Sequence, residues 1–254
     1  MKRTHATLHA SILLIAGLLA FPASAQQLPR DSMDPKVTEL WEPKPKKITS
    51  AAVAQPAPSD AVILFDGKNL NEWTHLKGEP ARWEVKDGAM TVVKGTGDIK
   101  TKRAFADVQL HIEWRAPGVI ESEGQGRGNS GVFLQERYEL QVLDSHESVT
   151  YANGQAGAIY KQHMPLVNAT SKPGEWNSYD IVFTAPRFNE QGRLIAPAYL
   201  TVFHNGVVIH NHTQLWGPTE YKGLPVYVEH GKAGIQLQDH GNPVSYRNIW
   251  IREL

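Results

Sequence analysis

The sequence contains no cysteine and no excess of charge. The absence of cysteine excludes disulfide bonds, thiolate metal sites, iron–sulfur clusters, cysteine nucleophiles and lipoprotein acylation. The 26 Lys and Arg residues balance the 26 Asp and Glu residues among 254 residues. This balance argues against nucleic acid as the main partner, because binding to phosphates needs a clustered excess of basic side chains.

Several catalytic motifs are absent as well. The sequence has no Gly-x-Ser-x-Gly and no His-Glu-x-x-His, so it does not support a serine hydrolase or a zinc protease of those types. The glycine-rich run at residues 124–129 is not a phosphate-binding loop, because no Lys-Ser/Thr pair and no helix follow it at the required spacing. A tight backbone turn is the simpler interpretation of these glycines.

The first 25 residues have the pattern of a secretory signal peptide. Lys2 and Arg3 precede an apolar stretch at residues 11–21 that is too short to span a bilayer, and Ala23-Ser24-Ala25 forms a small-residue cleavage site. A membrane anchor is the alternative. We expect cleavage after Ala25, a periplasmic or secreted protein, and no membrane span after removal. Loss of two basic residues leaves 24 against 26 acidic residues, a net charge of −2.

Residues 26–60 are rich in proline and have neither apolar alternation nor a helical period. This composition predicts an extended linker or a strap over the following domain. Val37, Leu40 and Trp41 are candidates to anchor it by packing.

Residues 61–254 predict a single all-β domain. Short alternating stretches recur between turn residues, and Asp87-Gly88 and Asn205-Gly206 are hairpin turn signals. About a dozen such strands without an internal repeat favour one sandwich over a propeller.

Three predicted strands place apolar residues on one face and large polar residues on the other. They span residues 108–115, 138–143 and 234–238, and their polar faces carry Glu, Gln, His and Arg side chains. A solvated outer face is one interpretation of this pattern. The other is a cleft in which amide, acid and imidazole groups bind a sugar.

Six motifs in order resemble the DUF1080 family, also called the 3-keto-disaccharide hydrolase domain. They are Ile63-Leu64-Phe65-Asp66-Gly67-Lys68, Leu70-Asn71-Glu72-Trp73, Gly128-Asn129-Ser130-Gly131-Val132-Phe133, Tyr138-Glu139-Leu140-Gln141-Val142-Leu143-Asp144, Leu237-Gln238-Asp239-His240-Gly241 and Val244-Ser245-Tyr246-Arg247-Asn248-Ile249. The resemblance implies a concanavalin A-like jelly-roll sandwich of two antiparallel sheets that acts on carbohydrate.

The resemblance further implies cleavage of glycosides that carry a ketone at C3, that is, 3-keto-disaccharides and related 3-keto-glycosides. The ketone acidifies the C2 hydrogen, so a base can remove it and the C1 aglycone can leave by elimination, with net hydrolysis once water adds. The route needs a base, a stabiliser of the enolate and an acid. A non-catalytic, lectin-like carbohydrate-binding module and a structural interaction domain are the alternatives.

The candidate site residues come from the polar faces and the motifs. Candidates for catalysis are Glu139, His240 and Asp239. Candidates for substrate binding are Gln141, Gln236, Glu113, Arg127, Arg247 and Asp144. Asp239 and Asp144 have turn-capping alternatives, and His240 has a structural one. Glu113, Glu139 and His240 would form an oxygen and nitrogen site for a divalent metal ion if they met. Candidates for stacking on a sugar ring are Trp73, Trp83, Trp176 and Trp216.

Overall fold

The computed structural model describes residues 33–47 and 57–254, so the expected signal peptide lies outside the described residues. The strands are β1 Lys46–Lys47, β2 Val62–Phe65, β3 Trp73–His75, β4 Glu84–Lys86, β5 Ala89–Thr91, β6 Ile99–Thr101, β7 Val108–Arg115, β8 Ser130–Leu134, β9 Tyr138–Val142, β10 Val167–Asn168, β11 Asn177–Thr184, β12 Arg187–Phe188, β13 Leu194–Ala196, β14 Tyr199–His204, β15 Val207–Gln214, β16 Gln236–Leu237 and β17 Ser245–Glu253. Short 3-10 helices span Pro35–Thr38, Gly124–Gly126 and Ala152–Gly154. Within these ranges, no helix is long and apolar enough to cross a membrane.

Two antiparallel sheets form the domain. The larger has eight strands in the order β15-β14-β11-β7-β17-β5-β4, with β2 also paired to β17. The smaller has five strands in the order β3-β6-β16-β8-β9. The predicted all-β jelly-roll sandwich is therefore confirmed.

The core lies between the two sheets and follows the predicted alternation. Leu110, Ile112 and Trp114 of β7 are fully buried, as are Leu140 and Val142 of β9. Burying a side chain of this size stabilises the fold by about 1.5–3 kcal/mol. The inner faces are thus sealed, and each sheet has an outer face, pointing away from the core, on which a site can form.

Hairpin turns fix the register where the sequence predicted them. Asn205 and Gly206 both have positive φ and join β14 to β15, and Asp87 and Gly88 do the same between β4 and β5. Asn, Asp and Gly tolerate this left-handed conformation, which matches the twist of a two-residue hairpin. The strands β3 and β6 were not predicted, because three residues are too few to show an alternation.

The strand β9 lies at one edge of the five-stranded sheet, but an irregular segment covers that edge. The N–H groups of Gln141 and Tyr160 donate to the carbonyls of Ala158 and Glu139, at 2.9 and 3.2 Å, and the N–H of Gly157 donates to Gln141 at 2.9 Å. The segment 157–160 therefore occupies hydrogen-bonding groups that an edge strand leaves open.

Residues 33–47, here called the N-terminal strap, contact the domain mainly through hydrogen bonds. Leu40 N donates to Asn153 Oδ1 at 2.9 Å, and Asn153 Nδ2 donates to Thr38 O at 3.0 Å. Val37, Leu40 and Trp41 remain substantially exposed, although Trp41 packs edge-on against Tyr151. The expected anchoring by these three side chains is thus only partial, and backbone contacts carry much of the attachment.

Candidate active site

A cavity of about 400 Å³, here called the main cavity, lies over the outer face of the five-stranded sheet. It combines side chains of β8 and β9 with loops before β8, after β9, between β15 and β16, and after β16. Its lining residues are Gln125, Asn129, Phe133, Glu139, Gln141, Tyr160, Thr219, Tyr221, Gln238 and His240. The structure therefore brings together three of the predicted site residues, namely Glu139, Gln141 and His240.

The strand register explains why Glu139 and Gln141 can face an open space. Gly131 of β8 pairs directly with Gln141, two positions from the pair of Phe133 with Glu139, so both pairs present side chains on the same face. A Cβ atom on Gly131 would lie 2.7 Å from Glu139 Oε1, closer than Cβ atoms approach other heavy atoms. The glycine thus leaves room for the carboxyl group.

Glu139 is the carboxyl group in the lining of the main cavity, and its pKa is strongly raised. Glu139 is only 6% exposed. Burial is the main cause that raises its pKa from 4.5 to about 8, and the nearby negative charge of Asp98 is the second cause. Both causes disfavour the carboxylate form. At neutral pH the side chain is mostly a carboxylic acid, which can donate a proton or a hydrogen bond.

The orientation of the Gln141 amide depends on the protonation of Glu139. One atom of its terminal amide lies 2.9 Å from Glu139 Oε1, and the other lies 3.1 Å from Gln125 Oε1. If Glu139 is protonated, its O–H donates to the Gln141 amide oxygen, and the amide nitrogen donates to Gln125. If Glu139 is ionised, the amide must turn its nitrogen toward the carboxylate. Gln125 Nε2 donates to Thr150 Oγ1 and Gly154 O, so Gln125 Oε1 faces Gln141 as an acceptor and favours the arrangement with Glu139 protonated.

Asp98, immediately before β6, is hydrogen-bonded to the segment that carries Gln236 and Asp239. Its Oδ2 accepts a hydrogen bond of 2.7 Å from Gln236 Nε2, and its Oδ1 accepts one of 2.8 Å from the N–H of Asp239. Burial raises the pKa of Asp98 as well. Sequence reasoning missed this residue because β6 gave no detectable strand pattern. Gln236, predicted to contact substrate, instead holds Asp98.

Two polar atoms of the main cavity have no hydrogen-bond partner among the described residues. They are Asn129 Oδ1 and Gln238 Oε1, and both are buried. Asn129 is held in place because its amide nitrogen donates to Gln125 O at 2.7 Å. Buried polar atoms normally find partners, so these acceptors are suited to the hydroxyl groups of a ligand.

The aromatic residues of the cavity are not the predicted tryptophans. Phe133, Tyr160 and Tyr221 line it. By contrast, Trp73 and Trp83 are buried in the core. Trp176 lies between Arg115 and Arg247 on the other sheet, and Trp216 lies in a neighbouring groove. The strand alternation near these tryptophans was too short to distinguish the core from a cavity.

The condition for a metal site at Glu113, Glu139 and His240 is not met, because the structure does not bring Glu113 to the other two residues. Glu113 lies on β7 in the eight-stranded sheet, where its side chain accepts hydrogen bonds from Arg247 Nε at 2.6 Å and Asn248 Nδ2 at 2.8 Å. Glu113 and Arg247 therefore do not contact a ligand in the main cavity. No group of three or more acidic or histidine side chains in residues 33–47 and 57–254 could hold a metal ion.

This separate network is a buried ion cluster on the eight-stranded sheet. A one-residue bulge in β17 lets Arg247 and Asn248 both reach Glu113. Burial opposes charge on His111, but a hydrogen bond to Asp180, at 2.7 Å, and an ionic contact with Glu113, at 3.7 Å, raise its pKa to about 9. Burial likewise opposes charge on Glu113, but the ionic contact with His111 and the hydrogen bonds from Asn248 and Arg247 lower its pKa to about 2. The cluster is charged across the neutral range.

Three further candidates, Arg127, Asp144 and Asp239, form hydrogen bonds that hold loops and do not line the main cavity. Arg127 Nε donates to Asp144 Oδ2 at 2.6 Å, while Asp144 Oδ1 accepts from the N–H of His146 at 3.1 Å. Asp239 accepts from the N–H groups of Gly97 and Gly241, both at 3.0 Å. The turn-capping alternatives therefore apply to Asp144 and Asp239, and Asp239 does not orient the His240 imidazole. Arg127 and Asp144 line a smaller adjoining cavity.

Comparison with known proteins identifies the family. Residues 60–252 match the family described as a 3-keto-alpha-glucoside-1,2-lyase-like domain. The chain belongs to this family. A 3-keto-disaccharide hydrolase of Bacteroides thetaiotaomicron is 26% identical over 243 residues, which cover 78% of this chain and 80% of that one.

Solved structures of Parabacteroides distasonis proteins share the fold. A candidate glycosyl hydrolase is 52% identical with a TM-score of 0.77, and the match covers 86% of this chain and 96% of that one. A second candidate glycosyl hydrolase from the same organism is 21% identical with a TM-score of 0.57, covering 77% and 94% of the two chains. The protein is thus a member of a carbohydrate-active hydrolase or lyase family.

Proposed function

We propose that the protein cleaves glycosides whose sugar carries a ketone at C3, by removing the C2 proton and expelling the aglycone from C1. One observation carries this proposal. Among the described residues that line the main cavity, Glu139 is the only carboxylate, and it lines the cavity together with His240. Ordinary glycosidases need two opposed carboxyl groups, whereas elimination from a 3-keto sugar needs one base and one acid.

His240 is the base in this scheme. It is exposed at the edge of the cavity, on the loop that Asp239 and Gly241 shape. Its imidazole takes the C2 proton, and the electron pair of the C2–H bond forms a C2=C3 double bond while charge moves to the C3 oxygen. The amide of Gln238 lines the cavity and is placed to hydrogen-bond the sugar during this step, while Gln141 holds Glu139.

Glu139 is the acid. When the C3 carbonyl reforms, the electron pair moves to C1=C2, the C1–O bond breaks, and the aglycone oxygen takes the proton of Glu139. The raised pKa of about 8 keeps that proton available at neutral pH. Water then adds across C1 and C2 of the unsaturated product, with hydroxyl at C1 and hydrogen at C2, so the sum is hydrolysis.

The test separates the two proton transfers. Wild-type protein is incubated with 3-keto-trehalose in D₂O, with and without divalent metal ions, and products are followed by mass spectrometry and C2 deuterium exchange by NMR. We expect His240→Ala to abolish both exchange and cleavage. We expect Glu139→Gln to slow cleavage at least about a hundredfold while exchange at C2 continues.

His212→Ala is the matched control, because His212 is exposed and stacks on Tyr199 of the eight-stranded sheet. It should leave both readouts unchanged. Absence of turnover with any 3-keto-glycoside would overturn the proposal, and calorimetric binding of glycans without product would favour the carbohydrate-binding alternative.

Export belongs to the same proposal. We infer that residues 1–25 direct the chain to the periplasm or the medium and are removed there. N-terminal sequencing of protein recovered from the periplasmic fraction should begin at Gln26, and a chain that retains Met1 would contradict it.

A further inference from the structure

A second cavity, here called the strap groove, lies beside the main cavity. Its volume is about 270 Å³, and it separates the N-terminal strap from the domain. Val37 and Leu40 of the strap line one side, and Trp216 and Leu224 line the other. Tyr160 lines both cavities, so a ligand that leaves the main cavity past this ring enters the groove.

The amide and ammonium side chains of the groove are already hydrogen-bonded within the protein, and the carboxylates of Glu39 and Glu220 also line it. Lys161 Nζ donates to the carbonyls of Pro35, at 2.8 Å, and Tyr221, at 3.0 Å. The Gln162 amide donates to Gly217 O at 2.9 Å and accepts from Trp216 N at 2.7 Å. Asn153 likewise uses both ends of its amide on the strap. These groups are therefore not available to recognise a hydroxyl-rich ligand.

The apolar side chains of the groove, in contrast, are left uncovered. Val37 is 62% exposed, Leu224 58%, Trp216 49% and Leu40 44%. The main cavity has the opposite character, because it contains the unpaired acceptors of Asn129 and Gln238. The two neighbouring spaces thus differ in chemistry, one suited to a sugar and the other to an apolar group.

We propose that the strap groove binds an apolar, ring-shaped aglycone, such as an aryl group, on the glycoside whose oxidised sugar occupies the main cavity. This inference rests on the proposed function and specifies its substrate class. The hydrogen bonds of Gln162 and Lys161 hold both sides of the groove in place before a ligand arrives, which reduces the ordering that binding must impose. The strap is thereby part of the substrate-binding surface.

The experiment compares two 3-keto-α-glucosides that differ only in the aglycone, one with a phenyl and one with a methyl group. Leu224→Ser and Val37→Ser should each lower kcat/KM for the phenyl substrate by about fivefold to tenfold and change the value for the methyl substrate by less than about twofold. Comparing variants on each substrate cancels the difference in leaving-group reactivity. Equal losses on both substrates, or none on either, would overturn the proposal.

Leu194→Ser is the matched control, since Leu194 is 40% exposed on β13 and does not line the groove. This variant should leave kcat/KM unchanged for both substrates.

Binding without turnover separates this inference from the proposed function. Calorimetry with the unoxidised phenyl and methyl α-glucosides needs no chemistry at the sugar. Wild-type protein should bind the phenyl compound at least about fivefold more tightly, and Leu224→Ser should remove that preference. If neither keto substrate reacts but this preference is present, the proposed function fails and the groove assignment stands. Equal affinity for the two glucosides, or no binding of either, refutes the groove assignment.

Discussion

Replacing Glu139 by Gln should stabilise the protein at alkaline pH although it removes a group needed for activity. In the folded protein the pKa of Glu139 is about 8, whereas the ordinary value is 4.5. Between these two pH values the folded protein holds a proton that the unfolded chain has released. The stability of the wild type therefore falls as pH rises through this window, and the glutamine variant is free of that loss.

The size of the effect follows from the two pKa values. At 1.36 kcal/mol per pH unit, the loss is under about 0.5 kcal/mol at pH 4.5, about 3 kcal/mol at pH 7 and about 4 kcal/mol at pH 8. These are upper limits, because water that enters the open cavity can solvate the carboxylate. As pH rises from 4.5 to 8, we expect the free energy of unfolding of Glu139→Gln to increase by about 2–4 kcal/mol relative to that of the wild type.

Urea denaturation of both proteins at pH 4.5, 7 and 8 measures this difference, because the other titrating groups are shared and cancel. Glu84→Gln on the exposed side of β4 is the control and should show a constant difference from the wild type. A constant difference for Glu139→Gln as well, or a variant that becomes relatively less stable toward pH 8, would refute the reasoning about this carboxyl group.

Three further predictions follow from neighbouring features. Gly131→Ala should lower kcat/KM for a 3-keto-disaccharide by about tenfold or more with retained circular dichroism, because its Cβ would displace the Glu139 carboxyl; unchanged activity would contradict this. Asp98→Asn should move the alkaline limb of the pH–rate profile to lower pH, because it removes one of the two causes of the raised Glu139 pKa, and an unmoved limb would count against that coupling. His111→Gln should cost about 2–3 kcal/mol of stability at pH 6 and less above pH 9. The reason is that the folded protein, with the His111 pKa raised to about 9, favours the protonated imidazole. Thermal melts at both pH values check the difference, and an equal cost at both would contradict it.

The fold could be predicted from the sequence further than the site could. Alternation along β7 and β9 correctly separated the core-facing side of each strand from its polar side, although most polar side chains there are buried as well. Alternation does not reveal which sheet a strand joins, and this is why Glu113 was grouped with Glu139 although the two lie on opposite outer faces of the sandwich. Hairpin turns were predictable because their residues must adopt positive φ, a local requirement.

Long-range contacts account for what the sequence could not reveal. Asp98 acts on Glu139 from a three-residue strand, and Tyr160, Thr219 and Tyr221 reach the cavity from loops without a periodic pattern. Asp239 and Asp144 had two open interpretations because a turn-capping carboxylate and a ligand-binding one have the same local sequence. Only the positions of the partner N–H groups distinguish the two roles.

The segment 157–160 blocks edge-to-edge pairing at β9. An edge strand with free N–H and C=O groups can recruit a strand from another chain, and β9 would offer such a template beside the site. Because Ala158, Gly157 and Tyr160 already use the backbone of Gln141 and Glu139, the strand is closed to intermolecular pairing. The side chains of Glu139 and Gln141 can therefore stay open to small ligands while their backbone is withheld from aggregation.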